Sequence, residues 1–235
     1  MPRRRLTVAM LVAFLAVVPA LSGRGEERPP HDFAKWESAI QAFEAADQAN
    51  PPKTGGVLFV GSSTMRMWKT NDLLPDLHVI NRGFGGSEMI DTLHFADRIV
   101  IPYQPRVMLL YAGSNDLGHN EQPCAIAARF EELIAKVHAA SPETEIVFMS
   151  VKPTVKRWAL IHRIRATNAL VEAVCVDHEH VHYLDAHTPM LNADGEPDEQ
   201  WLSSDGLHLN DAGYKHLTEV VRPVVDRLLA VKPVE

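Results

Sequence analysis

Three side chains in this sequence could together transfer an acyl group: the Ser63 hydroxyl, the His208 imidazole and the Asp205 carboxylate. Ser63 lies in Val57-Leu58-Phe59-Val60-Gly61-Ser62-Ser63-Thr64, an apolar run of strand length that breaks at a glycine and meets three hydroxyl residues. That junction puts small polar groups at the carboxyl end of a buried strand, where open α/β sheets bind their ligands. Near the other end, Ser204-Asp205-Gly206-Leu207-His208-Leu209-Asn210 sets an acid and a histidine three residues apart. The reading is that the two stretches meet in space. Ser63 would be the nucleophile and His208 the base. An imidazole is largely neutral near pH 7, and Asp205 would fix its tautomer and stabilise the imidazolium. Acyl transfer also needs donors aimed at the developing oxyanion. The candidates are the Ser63 backbone N–H, the N–H of Gly86 with no Cβ beside it, and the Asn115 side-chain amide. Ser62 stays open as a rival nucleophile.

These residues need elements to position them. Phe33, Trp36, Ile40, Phe43 and Ala46 recur at helical spacing, which predicts an amphipathic helix over 32–48. Strands are predicted at 56–60, 78–81, 107–111, 145–150 and 181–185. Helices are predicted from Met65, over 89–100, over 123–140 with Pro123 at the tolerant first turn, over 160–177, and from an Asn210 or Asp211 cap to about 231. Strands alternating with helices imply right-handed crossovers and a parallel sheet covered on both faces. The expected fold is α/β, a three-layer α/β/α sandwich of flavodoxin type with five parallel strands in order 2-1-3-4-5. In such a sheet the exits after strands 1, 2, 3 and 5 share one edge, so Ser63, Gly86, Asn115 and the Asp205/His208 loop converge.

Other features have plainer readings. Gly83, Gly85 and Gly86 fail the dinucleotide spacing, and Asn115-Asp116 alone would read as an Asx turn. The His178-Glu179-His180-Val181-His182 cluster lacks a completing cysteine and reads as a solvated loop, not a metal site. Trp158 and Trp201 are candidates for a pocket wall. Lys152 and Arg157 follow strand 4 on the active edge and could meet an acidic substrate. Cys124 and Cys175 read as two separate buried thiols on helices, with pairing left open.

Residues 1–22 stand apart. Arg3-Arg4-Arg5 precede an apolar run over 6–18, and Ala20-Leu21-Ser22 offers small residues for cleavage. That is the layout of a secretory signal peptide, and the run is short of the roughly 20 residues a spanning helix needs. Residues 23–31 read as a linker and 32–235 as one domain. The expected location is secreted or periplasmic, with no stable membrane anchor. The chain carries a net charge of −7. Without residues 1–22 it holds 20 basic against 30 acidic residues, a net −10. Such a chain does not bind nucleic acid through its net charge.

Four blocks in order carry a family resemblance. Gly61-Ser62-Ser63-Thr64, Asn81-Arg82-Gly83-Phe84-Gly85-Gly86-Ser87, Gly113-Ser114-Asn115-Asp116 and Asp205-Gly206-Leu207-His208 each follow a strand. The chain resembles the SGNH, or GDSL-type, hydrolases over about residues 55–230. Within them it looks most like the bacterial branch related to platelet-activating-factor acetylhydrolase subunits. The resemblance implies a serine esterase or acylhydrolase with Ser63, Asp205 and His208 catalytic and Ser63, Gly86 and Asn115 as oxyanion donors. It needs no metal or cofactor, and its partner is a small ester. Ser62 and Thr64 depart from the family's Asp and Leu, which touches fine geometry. The absence of a long insertion between strands suggests an open site favouring short acyl groups, with acetylated carbohydrate a plausible substrate. The alternatives are a flavodoxin-like module cradling a phosphate or flavin on Gly61–Thr64, and an inactive glycan-binding relative.

Overall fold

The computed structural model describes residues 31–230. The leader read at 1–22 and residues 23–30 of the linker lie outside the described residues. Five parallel strands, β1 (Val57–Gly61), β2 (Ile80–Gly83), β3 (Val107–Tyr111), β4 (Glu145–Met149) and β5 (Val181–Leu184), form one sheet in the order β2-β1-β3-β4-β5. The helices are α1 (Glu37–Ala49), the single turns α2 (Ser63–Arg66) and α3 (Thr70–Leu73), α4 (Met89–Ile99), the short α5 (Ser114–Gly118), α6 (Pro123–Ala140), α7 (Ile161–Val176) and α8 (Asp211–Ala230). The α/β/α sandwich and strand order expected from the sequence are both present.

Alternation along the strands builds the layers. Leu58, Val60, Met108, Leu110, Ile146 and Phe148 face one core with residues of α4, α6 and α7. Val57, Phe59, Val107, Leu109, Tyr111, Val147 and Met149 face the other, with Trp68 and α8 residues Leu217, Val221 and Val225. Each central strand is buried on both sides, which is why these segments read as unbroken apolar runs. Burying a Leu- or Phe-sized side chain contributes about 1.5–3 kcal/mol, so the sheet is the stiff part of the molecule.

Several boundaries move from the sequence expectation. The first helix splits into a 3-10 turn, Ala34–Trp36, and α1. β2 starts at Ile80 because His78 takes a left-handed backbone, φ 48°, which no strand continues. β1 reaches Gly61, in register with Gly83 of β2 and Tyr111 of β3. These three strands therefore end level. Arg82 of β2 is pinned inside by the Tyr103 hydroxyl, at 2.7 Å, and by Asp47 of α1.

Gly61 is the tightest point at that edge. Its φ is +134°, and an added Cβ would lie 2.1 Å from the Tyr111 carbonyl oxygen. Only glycine fits both constraints. Gly61→Ala should therefore lower stability by about 2 kcal/mol or more. The measurement is the urea midpoint, which should fall at unchanged m-value.

Candidate active site

Ser63 opens α2 directly after β1, and Ser62 is the residue that caps it. Ser62 N–H donates to the Tyr111 carbonyl at 3.1 Å, so the turn is stitched across to β3. Ser63 is half-buried, and its Oγ lies 3.1 Å from His208 Nε2 although the two are 145 residues apart. His208 Nδ1 lies 2.6 Å from Asp205 Oδ2. Asp205 Oδ1 also accepts the backbone N–H groups of Leu207 and His208, each at 2.9 Å. Those two backbone donors and the His208 ring hold the Asp205 carboxyl well below the usual carboxylate range. Asp205 is therefore ionised near neutral pH, where its carboxylate can accept from the His208 ring.

The loop bearing this pair is rigid for local reasons. Ser203 N–H donates to the His208 carbonyl at 2.8 Å, Gly206 N–H donates to Ser203, and Leu202 bridges Leu209. Asn210 closes the loop, donating to the Gln200 and Leu202 carbonyls and accepting the Gly213 N–H of α8.

The candidate oxyanion donors come from the neighbouring exits. Gly86 holds a positive φ of +86°, with Trp36 packed where a Cβ would point. Asn115 Nδ2 donates to the Ser87 carbonyl at 2.9 Å, and Asn115 Oδ1 accepts from Arg157 Nη2 at 3.1 Å. Ser63, Gly86, Asn115 and His208 line one open cavity of about 520 Å3, together with Arg66, Gly85 and Leu207. A narrow slot of about 10 Å3 adjoins Ser63, walled by Ser62, Thr64, Tyr111, Ser114 and Lys152. The structure thus brings Ser63, His208, Asp205, Gly86 and Asn115 to one place. Ser62 shares the slot but is 3% exposed, and the imidazole bonds to Ser63 and not to it.

Sequence reasoning did not anticipate two contributors. Arg66 sits one turn from Ser63 on the cavity wall, beside Gly85; the signal was a Ser-x-x-Arg spacing on one helical turn. Asp116 is buried, and its two oxygens accept the N–H groups of Gly113, at 3.0 Å, and of Met89 at the start of α4, at 2.9 Å. It therefore ties the exit of β3 to the exit of β2. Lys152 and Arg157, which the sequence offers to an acidic substrate, both have partners within the protein: Lys152 Nζ donates to the Leu207 carbonyl at 3.1 Å while lining the slot at Ser63, and Arg157 Nη2 donates to Asn115 Oδ1 at 3.1 Å.

Other expectations also shift. Trp201 stacks on His216, with ring centroids 4.3 Å apart, and neither it nor Trp158 lines the cavities around Ser63. His180 and His182 are not simply solvated; their ring nitrogens bond both oxygens of the buried Glu145, at 3.1 and 2.6 Å. Cys175 is buried on α7, but Cys124 is exposed at the start of α6, and both are free thiols. Among the described residues, no helix is long and apolar enough to cross a membrane.

Comparison with known proteins gives a consistent pattern. The model of the GDSL-like Lipase/Acylhydrolase family matches residues 61–216. Among solved structures, a Streptococcus pneumonia protein assigned provisionally to platelet activating factor is 21% identical with a TM-score of 0.74, over 82% of this chain and 94% of that one. A GDSL-like lipase from Bacteroides thetaiotaomicron is 19% identical with a TM-score of 0.71, over 83% and 99%. A family 3 carbohydrate esterase from Clostridium thermocellum is 19% identical with a TM-score of 0.61, over 76% and 98%. A search of curated proteins gave no match.

Asp116 yields a prediction with a defined sign. Burial pushes its carboxyl up to about 6 from an ordinary 3.8. Between those values the native protein keeps a proton that the unfolded chain has lost, so raising the pH from about 4 to about 6 lowers stability through this group. Asp116→Asn removes that linkage. Urea midpoints of the wild type, relative to the variant, should therefore decline from about pH 4 to about pH 7.

Proposed function

The chain belongs to the GDSL-like lipase/acylhydrolase family and is a hydrolase, and from that premise we propose that it is an exported serine esterase that cleaves short acyl esters through an acyl-enzyme. This reading leaves no place for a phosphate- or flavin-binding module on Gly61–Thr64. The observation that carries it is the chain of contacts from Ser63 Oγ to His208 Nε2 and from His208 Nδ1 to Asp205 Oδ2, at 3.1 and 2.6 Å.

In the first half-reaction His208 takes the Ser63 proton as Oγ attacks the ester carbonyl. The carbonyl oxygen becomes an oxyanion, held by the N–H groups of Ser63 and Gly86 and by Asn115 Nδ2. Collapse expels the alcohol, which takes its proton from the imidazolium. Water then repeats the sequence on the acyl-Ser63 ester, with His208 again as base. The donors stand in place before reaction, so they favour the transition state over the ester itself.

Substrate size follows from the two cavities. A slot of about 10 Å3 beside Ser63 has room for a water or a methyl group, not for a fatty chain. The open cavity of about 520 Å3 receives the alcohol side from solvent. An acetyl ester on a bulky hydrophilic alcohol fits that division, and an acetylated carbohydrate is such an ester. The fold likeness to the Clostridium thermocellum carbohydrate esterase is in keeping with this choice. Location outside the cytoplasm rests on the charged, apolar and small-residue pattern of residues 1–22. N-terminal sequencing of the exported protein should begin just after Ser22.

Ser63→Ala should abolish p-nitrophenyl acetate hydrolysis, by at least about a thousand-fold, and organophosphate labelling, at an unchanged urea midpoint. His208→Ala should behave nearly the same. Activity retained in Ser63→Ala but lost in Ser62→Ala would move the nucleophile by one residue. Asn115→Ala should lower kcat by about a hundred- to a thousand-fold. Faster cleavage of a long-chain p-nitrophenyl ester than of the acetate would contradict the short-acyl assignment.

A further inference from the structure

We propose that the segment leaving β4, residues 152–157, is a brace that sets the base and an oxyanion donor in place at once, with Lys152 and Arg157 as positioning residues. The inference rests on the assignment of Ser63, His208 and Asn115 made above. Three bonds leave this segment for the site. Lys152 Nζ donates to the Leu207 carbonyl at 3.1 Å, Lys156 N–H donates to the Gly206 carbonyl at 3.0 Å, and Arg157 Nη2 donates to Asn115 Oδ1 at 3.1 Å. The two peptide carbonyls that precede His208 are thus both held from one strand exit.

Lys152 is an unusual residue for such a place. It is 4% exposed, its ammonium lies 5.6 Å from the Tyr111 ring centroid, and no carboxylate among the described residues pairs with it. Lysine is almost never fully buried without a partner, because an ammonium taken from water needs compensation. Here the compensation is the Leu207 carbonyl, one peptide before the base. A hydrophobic residue of the same length would fill the space and leave that carbonyl unheld.

Arg157 solves a different problem. The two ends of an asparagine amide have nearly the same shape, and only their partners decide which end points where. The Ser87 carbonyl can only accept, and it takes one Nδ2 proton. A guanidinium can only donate, so Arg157 must meet Oδ1. A flipped amide would set donor against donor and acceptor against acceptor. The second Nδ2 proton is left for the cavity that Asn115 shares with Ser63 and His208. Arg157 itself is confined: an added Cβ on Gly118 of α5 would lie 1.5 Å from its Nη1, so the missing side chain makes room for the guanidinium.

The test separates positioning from simple packing. Arg157→Met should lower kcat for p-nitrophenyl acetate about 10- to 100-fold with KM within about threefold. In an Asn115→Ala background it should change kcat by less than about twofold, because its target is gone. Arg157→Lys, which keeps a donor at shorter reach, should give an intermediate kcat with the same non-additivity. Lys152→Met should slow organophosphate labelling of Ser63 about tenfold or more, and its effect should multiply with that of Asn115→Ala because it acts through His208. Lys152→Gln, which keeps a donor, should recover part of that loss. An Arg157→Met kcat within twofold of wild type, or a loss that multiplies in full with Asn115→Ala, overturns the Arg157 assignment. Labelling at the wild-type rate in folded Lys152→Met, or no recovery in Lys152→Gln relative to Lys152→Met, overturns that of Lys152. A fully active Ser63→Ala would instead overturn the esterase mechanism, so the two failures are distinguishable.

Discussion

The contact between Ser63 Oγ and His208 Nε2 spans 145 residues in sequence and only 3.1 Å in space. A single hydrogen bond of this kind contributes about 1 kcal/mol net, far less than the entropy of bringing two such distant segments together. It cannot gather its own partners. Both ends must be delivered by structure formed for other reasons: the Ser63 turn by the register of β1 against β3, and His208 by a loop closed on itself and on α8. The hydrogen bond is a consequence of the fold, and everything chemical about the site depends on that fold being stiff.

Parallel topology supplies the stiffness and the convergence together. Crossover helices send every strand the same way, so the exits share an edge. The level ending of Gly61, Gly83 and Tyr111 then places three exits at one height. What the sheet does not supply is cross-linking between the exit loops. Polar side chains add it: Asp116 joins the exits of β3 and β2 through two backbone N–H groups, and residues 152–157 join those of β4, β3 and the loop before α8. Each link runs between a side chain from one loop and, in most cases, a backbone group of another. Such links fix orientation as well as distance, which the transition state requires within a fraction of an ångström.

Much of this was legible in the sequence because the informative residues are local. Val107–Tyr111 and Pro123–Ala140 read off with the bounds the structure shows, since an unbroken apolar run and a proline-led periodic stretch each carry their own signal. Ser63, Gly86, Asn115, Asp205 and His208 stood out because small or titratable residues after apolar runs are few. The errors share one physical cause. His78 stops β2 by a backbone conformation that no pattern displays. Trp201 finds His216 on α8, and the protein partners of Lys152 and Arg157 at the site, a carbonyl and an amide oxygen, were not foreseen. A lysine after a strand looks alike whether it meets a substrate or a buried carbonyl. The difference lies in the tertiary neighbour, and one sequence does not contain it.

The charge of the site runs against the charge of the chain. With a net −7 overall, several arginines away from the site are matched by acids, as Arg98 is by Glu37 and Glu44 and Arg222 by Asp76 and Asp226. The residues lining the two cavities at Ser63 instead include Lys152 and Arg66 and no carboxylate. Asp205 stands behind the imidazole, off the lining. An oxyanion forming at an ester carbonyl on Ser63 would therefore meet positive charge and N–H donors, with the nearest fixed negative charge spent on the histidine. Charge placed this way acts most strongly where water is thinned out, and the tight slot beside Ser63 is such a place. Surface acidity and a cationic site do not conflict, because exposed charges more than about 10 Å away are largely screened by salt at about 0.1 M. The local arrangement, and not the net charge, governs the field that the reacting carbonyl meets.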